Sequence, residues 1–320
     1  MKKVSVVIPN YNGDNYIEQC FKSLKIQDYK DFDVIFVDNC SEDGGIETAK
    51  LYDAGLDVKY VSLDFNYGFS RAVNEGIKLS HSPYVILLNN DTKAAKHFVG
   101  ALVEEMEGRA DVFSAQAKML CYYDSSIVDD AGDFFCVNGW AYGRGKDKKS
   151  VKYNKQDEIF SSCAGAAIYR RDIFEKIGYF DEHFFAYLED VDIGYRAKLY
   201  GYKNIFVPAA KVLHMGSATS GSRHNAFKVK LSARNAIFVM HKNFSLWQKI
   251  INFLPVLGGC IIKWAYFSKK GLGSDYVTGV IEGIKNKRKL PVIRNSEISG
   301  ATYVSIQFEL MKNLLGRLGE

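Results

Sequence analysis

Residues 4–13 read VSVVIPNYNG and residues 33–43 read DVIFVDNCSED, and these two stretches decide the fold class. In each, a β-branched run stops abruptly at Pro, Asn or Asp. Such a run, apolar without alternation, fits a strand buried on both faces. Working outward, Val58–Leu63 and Tyr84–Leu88 repeat the pattern. Between these runs, Asn15–Gln27, Gly45–Ala54 and Gly68–Leu79 carry apolar residues at helical spacing, as at Ile17, Phe21 and Leu24. Strand–helix alternation at this interval predicts right-handed βαβ units: an α/β chain with a mostly parallel sheet. Ligands bind such sheets outside the carboxyl ends of the strands. Here those ends read Pro9-Asn10-Tyr11-Asn12, Asp38-Asn39, Asp64-Phe65-Asn66 and Asn89-Asn90-Asp91, which predicts a polar ligand at one rim.

Beyond Asp91 the pattern is mixed. The spacing predicts a helix at Ala94–Glu107, a strand at Val112–Ala117, and loop with a short hairpin over 132–155. A buried strand at Cys163–Tyr169, a helix at Glu189–Tyr200 and a short strand at Ile205–Val207 follow. Residues 215–222, MGSATSGS, are small enough to predict a hinge or lid. Near residue 225 the composition changes. From Ala226 onward there are 15 Lys/Arg against 5 Asp/Glu, which leaves 27 basic and 32 acidic residues in 1–225. A mildly acidic body therefore carries a basic tail, and the tail suits an anionic partner, membrane surface or nucleic acid.

With 47% hydrophobic and 25% charged residues in 320, the chain is neither disordered nor fibrous, and it is long enough for a large core. The apolar run before Pro9 is too short for a signal peptide. Six cysteines show no ligand spacing and six histidines no i,i+4 pair, so reduced thiols, a cytosolic location and no zinc site are expected.

Three acidic or amide clusters are candidates for chemistry. Asp38 is either a turn residue or a partner for a base or ribose. Asn89-Asn90-Asp91-Thr92 either caps a helix or offers a carboxylate to a hard cation bridging phosphates. Glu189, Asp190 and Asp192 open a predicted helix, where they favour the dipole and Asp192 can pair with Arg196. Burial after an aromatic run would also raise their pKa toward that of a general base.

The stretches VSVVIPNYNG, VIFVDNCSEDG, FNYGFSRAVNEGI, YVILLNNDT and FFAYLEDVDIGYRAKLYGYK, in this order and spacing, resemble glycosyltransferase family 2, the inverting GT-A transferases. The resemblance spans about residues 3–225. The NNDT form, HMGS after the acidic helix, and Ser232-Ala233-Arg234-Asn235 are most similar to the bacterial rhamnosyltransferases of surface polysaccharide synthesis. It implies a GT-A nucleotide-diphospho-sugar transferase fold with a nucleotide-binding half at about 1–92 and an acceptor half at about 93–225. A mainly helical extension, 226–320, would follow. Pro9, Tyr11, Asn12 and Asp38 would then hold the nucleotide, with Asn66, Arg71, Asn89 and Asn90 completing the nucleotide-sugar site. Asp91 and His214 would hold a divalent cation, Mg or Mn, although Asn stands where the family's acidic motif begins with Asp. Asp190 would be the base that takes the acceptor hydroxyl's proton, assisted by Glu189. Asp192 and Trp140, with Tyr142 beside it, would contact acceptor. No protein nucleophile is needed for direct inversion.

The donor implied is dTDP-rhamnose or a UDP-sugar, and the acceptor a lipid-linked saccharide at the inner face of the cell membrane. In the tail, LWQKIINFLPVLGGCIIKWAYF (246–267) has 13 uncharged residues between Lys249 and Lys263, too few to span a bilayer. Its flanking Trp247 and Trp264, with the basic run Lys285, Lys287, Arg288, Lys289 and Arg294, predict a helix pair lying on the membrane. Packing on the catalytic part or on a second copy in a homodimer is the other reading. A nucleic-acid-binding protein, or a non-catalytic nucleotide-binding scaffold, are the competing functional classes; the first leaves the acidic rim without a purpose, so no nucleic-acid partner is expected.

Overall fold

The computed structural model describes residues 1–216, 224–292 and 298–319. Among these residues the chain opens β1 (Val4–Asn10), α1 (Asp14–Lys25), β2 (Phe32–Asp38), α2 (Gly45–Tyr52), β3 (Val58–Ser62), α3 (Phe69–Leu79) and β4 (Tyr84–Leu88). The predicted alternation is present element for element. It continues through β5 (Thr92–Ala94), α4 (Phe98–Met106), β6 (Val112–Cys121), β7 (Asp124–Asp130), β8 (Asp133–Phe135) and β9 (Ala141–Gly143). Then come β10 (Asp157–Ile159), β11 (Ala166–Arg170), α5 (Arg171–Ile177), α6 (Glu189–Leu199) and β12 (Lys203–His214).

A ten-stranded sheet runs β10-β12-β6-β11-β4-β1-β2-β3, with β5 on β12 and β7 on β6. β1 pairs in parallel with β2 and β4, β2 with β3, and β12 with β6; β11 is antiparallel to both its neighbours. The sheet is therefore mostly parallel, as its apolar runs require. Register sets Asn10 beside Asp38, so the polar strand ends share one rim. Helices cover both faces. One layer buries Ile17, Phe21 and Leu24 of α1 against Phe36, and the other buries Val73 and Ile77 of α3 against Val7. Gly76 lets α3 lie directly on β1: a Cβ there would stand 2.3 Å from a Val7 methyl.

Three elements differ from the reading of the sequence. Thr92–Ala94 pairs with the end of β12, so the next helix starts at Phe98 and not at Ala94. β12 extends well past Val207 because a register shift between Val207 and Lys211 absorbs Pro208, which has no N–H to donate. β7 is an edge strand without apolar alternation and carried no signal. The predicted lid at 215–222 lies mostly outside the described residues, as does Arg294.

The tail forms α7 (Ala226–Asn243), α8 (Leu246–Ile251), α9 (Phe253–Ser268), α10 (Gly273–Asn286) and α11 (Gly300–Gly319). Phe238, Val239, Phe244 and Leu310 of this tail share a core with Phe135, Phe160, Phe184 and Tyr195. No described helix is long and apolar enough to cross a membrane. All six cysteines are free thiols.

Candidate active site

A cavity of about 790 Å³ opens at the polar rim, within the range of small-molecule sites. Of the residues singled out from the sequence, Pro9, Tyr11, Asn66, Asn89, Asn90, Asp91, Glu189, Asp190 and His214 line it. One wall is an amide-rich lattice built on the ends of β1, β2 and β4. Asn90 Nδ2 donates to Asn10 Oδ1 (2.6 Å), and Asn10 Nδ2 donates to Asp38 Oδ1 (2.8 Å). Asp38 also accepts from the Ser41 amide and hydroxyl (3.0 and 2.6 Å). Asn39 Nδ2 donates to Asn66 Oδ1 (2.9 Å). Gly13 leaves room for this lattice, since a Cβ there would fall 2.0 Å from Asn90 Nδ2. Tyr11 stays 37% exposed at the mouth, an aromatic face open to a ligand.

Six residues singled out from the sequence do not line this cavity. Asn12 ties two loops together, accepting from the Glu42 amide (2.8 Å). Arg71 turns to Glu75 and Glu182 (both 3.2 Å) and stacks over Tyr67. Asp192 is fully buried between Arg196 (3.0 Å), Lys242 (2.9 Å) and Asn243 (2.8 Å), and these partners hold its carboxyl below the usual range against the cost of burial. Trp140 donates from Nε1 to the Gly259 carbonyl of α9 (3.1 Å). Tyr142, beside it, bonds to the Asn313 carbonyl of α11 (2.9 Å). Asp38 supports the cavity from behind Asn10.

The floor is acidic. Glu189 and Asp190 form the first turn of α6, after a loop in which Phe185, Tyr187 and Leu188 all have positive φ (64°, 70° and 67°). Left-handed backbone costs of order 1–3 kcal/mol at each non-glycine residue and persists only where the surroundings enforce it. Here α7 enforces it: the Asn235 amide donates to the carbonyls of Phe184, Ala186 and Tyr187 (3.0, 2.9 and 2.7 Å). Burial pushes the Glu189 carboxyl well above its usual range, with the charge of Asp190 adding to it. Asp133, at the start of β8, is raised likewise by burial and by Asp130 and Asp190. Asp190 is raised by burial only to about 6, because the amides of Val191 and Ala164 and a hydrogen bond from Asp133 favour its charged form. Burial and neighbouring charge thus favour the acid form at Glu189 and Asp133 more strongly than at Asp190.

At the other side of the cavity, His214 Nε2 faces Asp91 Oδ1 (3.2 Å) and Nδ1 faces Asp129 Oδ2 (2.7 Å), with Lys146 on Asp129. Burial opposes the imidazolium, but Asp129 and Asp91 outweigh it and lift His214 to about 10. Asp91 offers a carboxylate to a divalent cation, whereas the His214 imidazolium has no free lone pair and would ligate only on losing its Nε2 proton. Asp129, paired to Nδ1, would hold the imidazole ring in place for such a ligand role. A second grouping, Asp133, Cys163 and Asp190, brings donor atoms within 4.8 Å of one another. Its thiol is held protonated by burial and is a poor ligand for a hard cation.

Asp129, Asp133 and Asn235 were not chosen from the sequence as site residues. The run Asp129-Asp130 and Asp133 was visible as an acidic cluster, but it lies in a stretch without hydrophobic period.

A family model described as glycosyl transferase family 2 matches residues 5–178. N-acetylglucosaminyl-diphospho-decaprenol L-rhamnosyltransferase of Mycobacterium tuberculosis is 24% identical over 271 residues, covering 76% of this chain and 86% of that one. A GalNAc(5)-diNAcBac-PP-undecaprenol beta-1,3-glucosyltransferase of Campylobacter jejuni is 23% identical over 240 residues, 72% of each chain. Among solved structures, a mannosyltransferase from Pyrobaculum calidifontis in complex with GDP-Man and Mn2+ superposes with a TM-score of 0.59 at 13% identity, covering 89% and 88% of the two chains.

Proposed function

Because the chain belongs to glycosyl transferase family 2 and has the GT-A fold of that family, we propose that its rim cavity carries out direct, inverting glycosyl transfer with Asp190 as base. What supports this reading is the placement of Glu189 and Asp190 on the first turn of α6, lining the rim cavity together with Asp133, where Asp190 is raised only to about 6. A base poised near the working pH takes an acceptor proton efficiently. Glu189, as an acid, would hold an acceptor hydroxyl or orient Asp190. Tyr11 would pack on the nucleobase and Asn66 contact the nucleoside, while Asn10, Asn90 and Asp38 keep that wall rigid. Asp91 and His214 would hold a Mg or Mn ion, which supplies charge to stabilise a departing diphosphate. Arg71, Asn12, Asp192 and Trp140 would act on this site from outside the cavity.

The donor we propose is dTDP-rhamnose, with a UDP-sugar as the alternative, and the acceptor is a lipid-linked saccharide in bacterial surface-polysaccharide synthesis. The decaprenol- and undecaprenol-linked names of the two relatives support that acceptor class. The tail, residues 226–320, would hold the catalytic part on the cytosolic membrane face. Leu254 of α9 is 72% exposed and Ile261 55%, with Lys269 and Lys270 at the helix end, which supports this placement. A homodimer through the same face is the alternative. The division near residue 225 is then one of task, since the two parts share a core.

Thermal unfolding with dTDP-rhamnose and UDP-sugars, with Mn2+ or EDTA, tests the reading. A bound donor raises the midpoint by mass action. The shift should need Mn2+ or Mg2+ and should be lost in Asp91→Ala, while free nucleoside binds both proteins alike. No shift with any nucleotide-sugar would overturn the proposal.

A further inference from the structure

A second cavity, of about 370 Å³, adjoins the first and shares Tyr187, Leu188, Lys228 and Ser232 with it. Its walls come from α7, α9, α10 and the β8–β9 connection, so it belongs to the tail as much as to the sheet. The two cavities have opposite chemistry. The first holds Asp91, Asp133, Glu189 and Asp190; among the described residues no carboxylate lines the second. Instead it contains Lys263 of α9, whose ammonium lies 5.8 Å from the Trp140 ring centroid, with Lys228 at the junction of the two. No described carboxylate pairs with Lys263, and burial among apolar groups pulls it down to about 8. Lys263 is part-buried in this wall with no carboxylate beside it, so an anion bound in the cavity would meet an ammonium that has no counter-ion among the described residues.

α9 has two faces. Cys260, Lys263 and Phe267 turn into the cavity, while Leu254, Leu257, Ile261 and Ile262 are exposed on the outside. A ligand with an anionic group at Lys263 would thus have carboxylate chemistry on one side and an apolar helix surface on the other.

We propose that this second cavity binds the phosphate of an isoprenoid-diphosphate acceptor. Lys263 meets the diphosphate over the Trp140 face, the sugar reaches Asp190 past Tyr187 and Leu188, and the isoprenoid leaves along α9. This rests on the transferase reading above. It adds the group that distinguishes a diphosphate-linked acceptor from a neutral glycoside, and it gives Trp140 a place beneath the cation.

The test uses the full chain, in EDTA so that the Asp91–His214 pair holds no cation. Farnesyl diphosphate, farnesol and inorganic pyrophosphate are titrated calorimetrically into wild type, Lys263→Met and Lys263→Arg. Farnesyl diphosphate should bind wild type and Lys263→Arg, and bind Lys263→Met about tenfold to a hundredfold more weakly. Farnesol should bind weakly and alike to all three. Equal farnesyl diphosphate affinity in wild type and Lys263→Met would overturn the proposal. Pyrophosphate binding as tightly as farnesyl diphosphate would also overturn it, because the site would then be one for free phosphate. An unchanged melting temperature for Lys263→Met, and unchanged nucleotide-sugar binding with Mn2+, separate this site from the first. Loss of nucleotide-sugar binding in wild type would instead strike the transferase reading.

Discussion

In the proposed transfer Asp190 would owe its role as base to its neighbours, and the neighbour most open to test is Asp133. Its hydrogen bond favours the charged form of Asp190, offsetting part of the burial that raises Asp190 to about 6. The sign follows directly: the base must be ionised, so kcat/KM should rise with pH through a limb near 6, and loss of the Asp133 donor should move that limb upward. Asp133→Ala is expected to shift the acid limb to higher pH, with Asp133→Asn, which retains an N–H donor, shifting it less. A pH–rate profile checks this, and an unmoved or lowered limb in Asp133→Ala removes Asp133 from the base's environment. Asp190 and Glu189 were legible because they open a helix after an aromatic run. Asp133 was not, because a carboxylate at the start of a three-residue strand gains meaning only when that strand packs against α6. Likewise the i,i+4 pair of Asp192 and Arg196 could be read from spacing, whereas Lys242 and Asn243, fifty residues onward, could not.

Helix α7 belongs to the tail by composition and to the site by contact. The fully buried Asn235 amide holds the three carbonyls that keep Phe185, Tyr187 and Leu188 in positive φ, and so aims Asp190. Asn235→Ala should destabilise the fold by about 1–3 kcal/mol, from buried carbonyls left without a donor. It should also lower kcat by about a hundredfold as the base loop relaxes from its working geometry, with donor affinity little changed. Chemical denaturation and initial rates measure the two effects; full kcat in a destabilised Asn235→Ala would show that the loop holds its shape unaided. At this scale the βαβ half was readable, since its strands are apolar runs and its helices periodic. The edge strand β7 and the far part of β12 were not, because one has no apolar face and the other is interrupted by Pro208.

Across the whole molecule, charge is divided: residues 226–320 hold 15 Lys/Arg against 5 Asp/Glu, while the rest is net acidic. Exposed apolar residues on α8 and α9 lie in the same basic part, at Leu246, Ile250, Phe253 and Leu254. The full-length protein should therefore bind anionic liposomes, and less at high salt as the cationic share is screened. Flotation with Leu254→Glu/Ile261→Glu should show that binding lost; a concentration-dependent dimer broken by the same pair would assign the face to a second copy instead. Composition disclosed this asymmetry, but the core shared by Phe238, Val239 and Phe135 lies in contacts that no local pattern encodes. The central claim is that the acidic floor works by proton abstraction at Asp190. The most direct measurement is turnover of a nucleotide-sugar by Asp190→Asn, with donor binding followed calorimetrically in the same preparation. We predict that transfer falls by about 10³-fold or more while the donor Kd stays within about threefold of wild type. Transfer at a near wild-type rate in Asp190→Asn would contradict it.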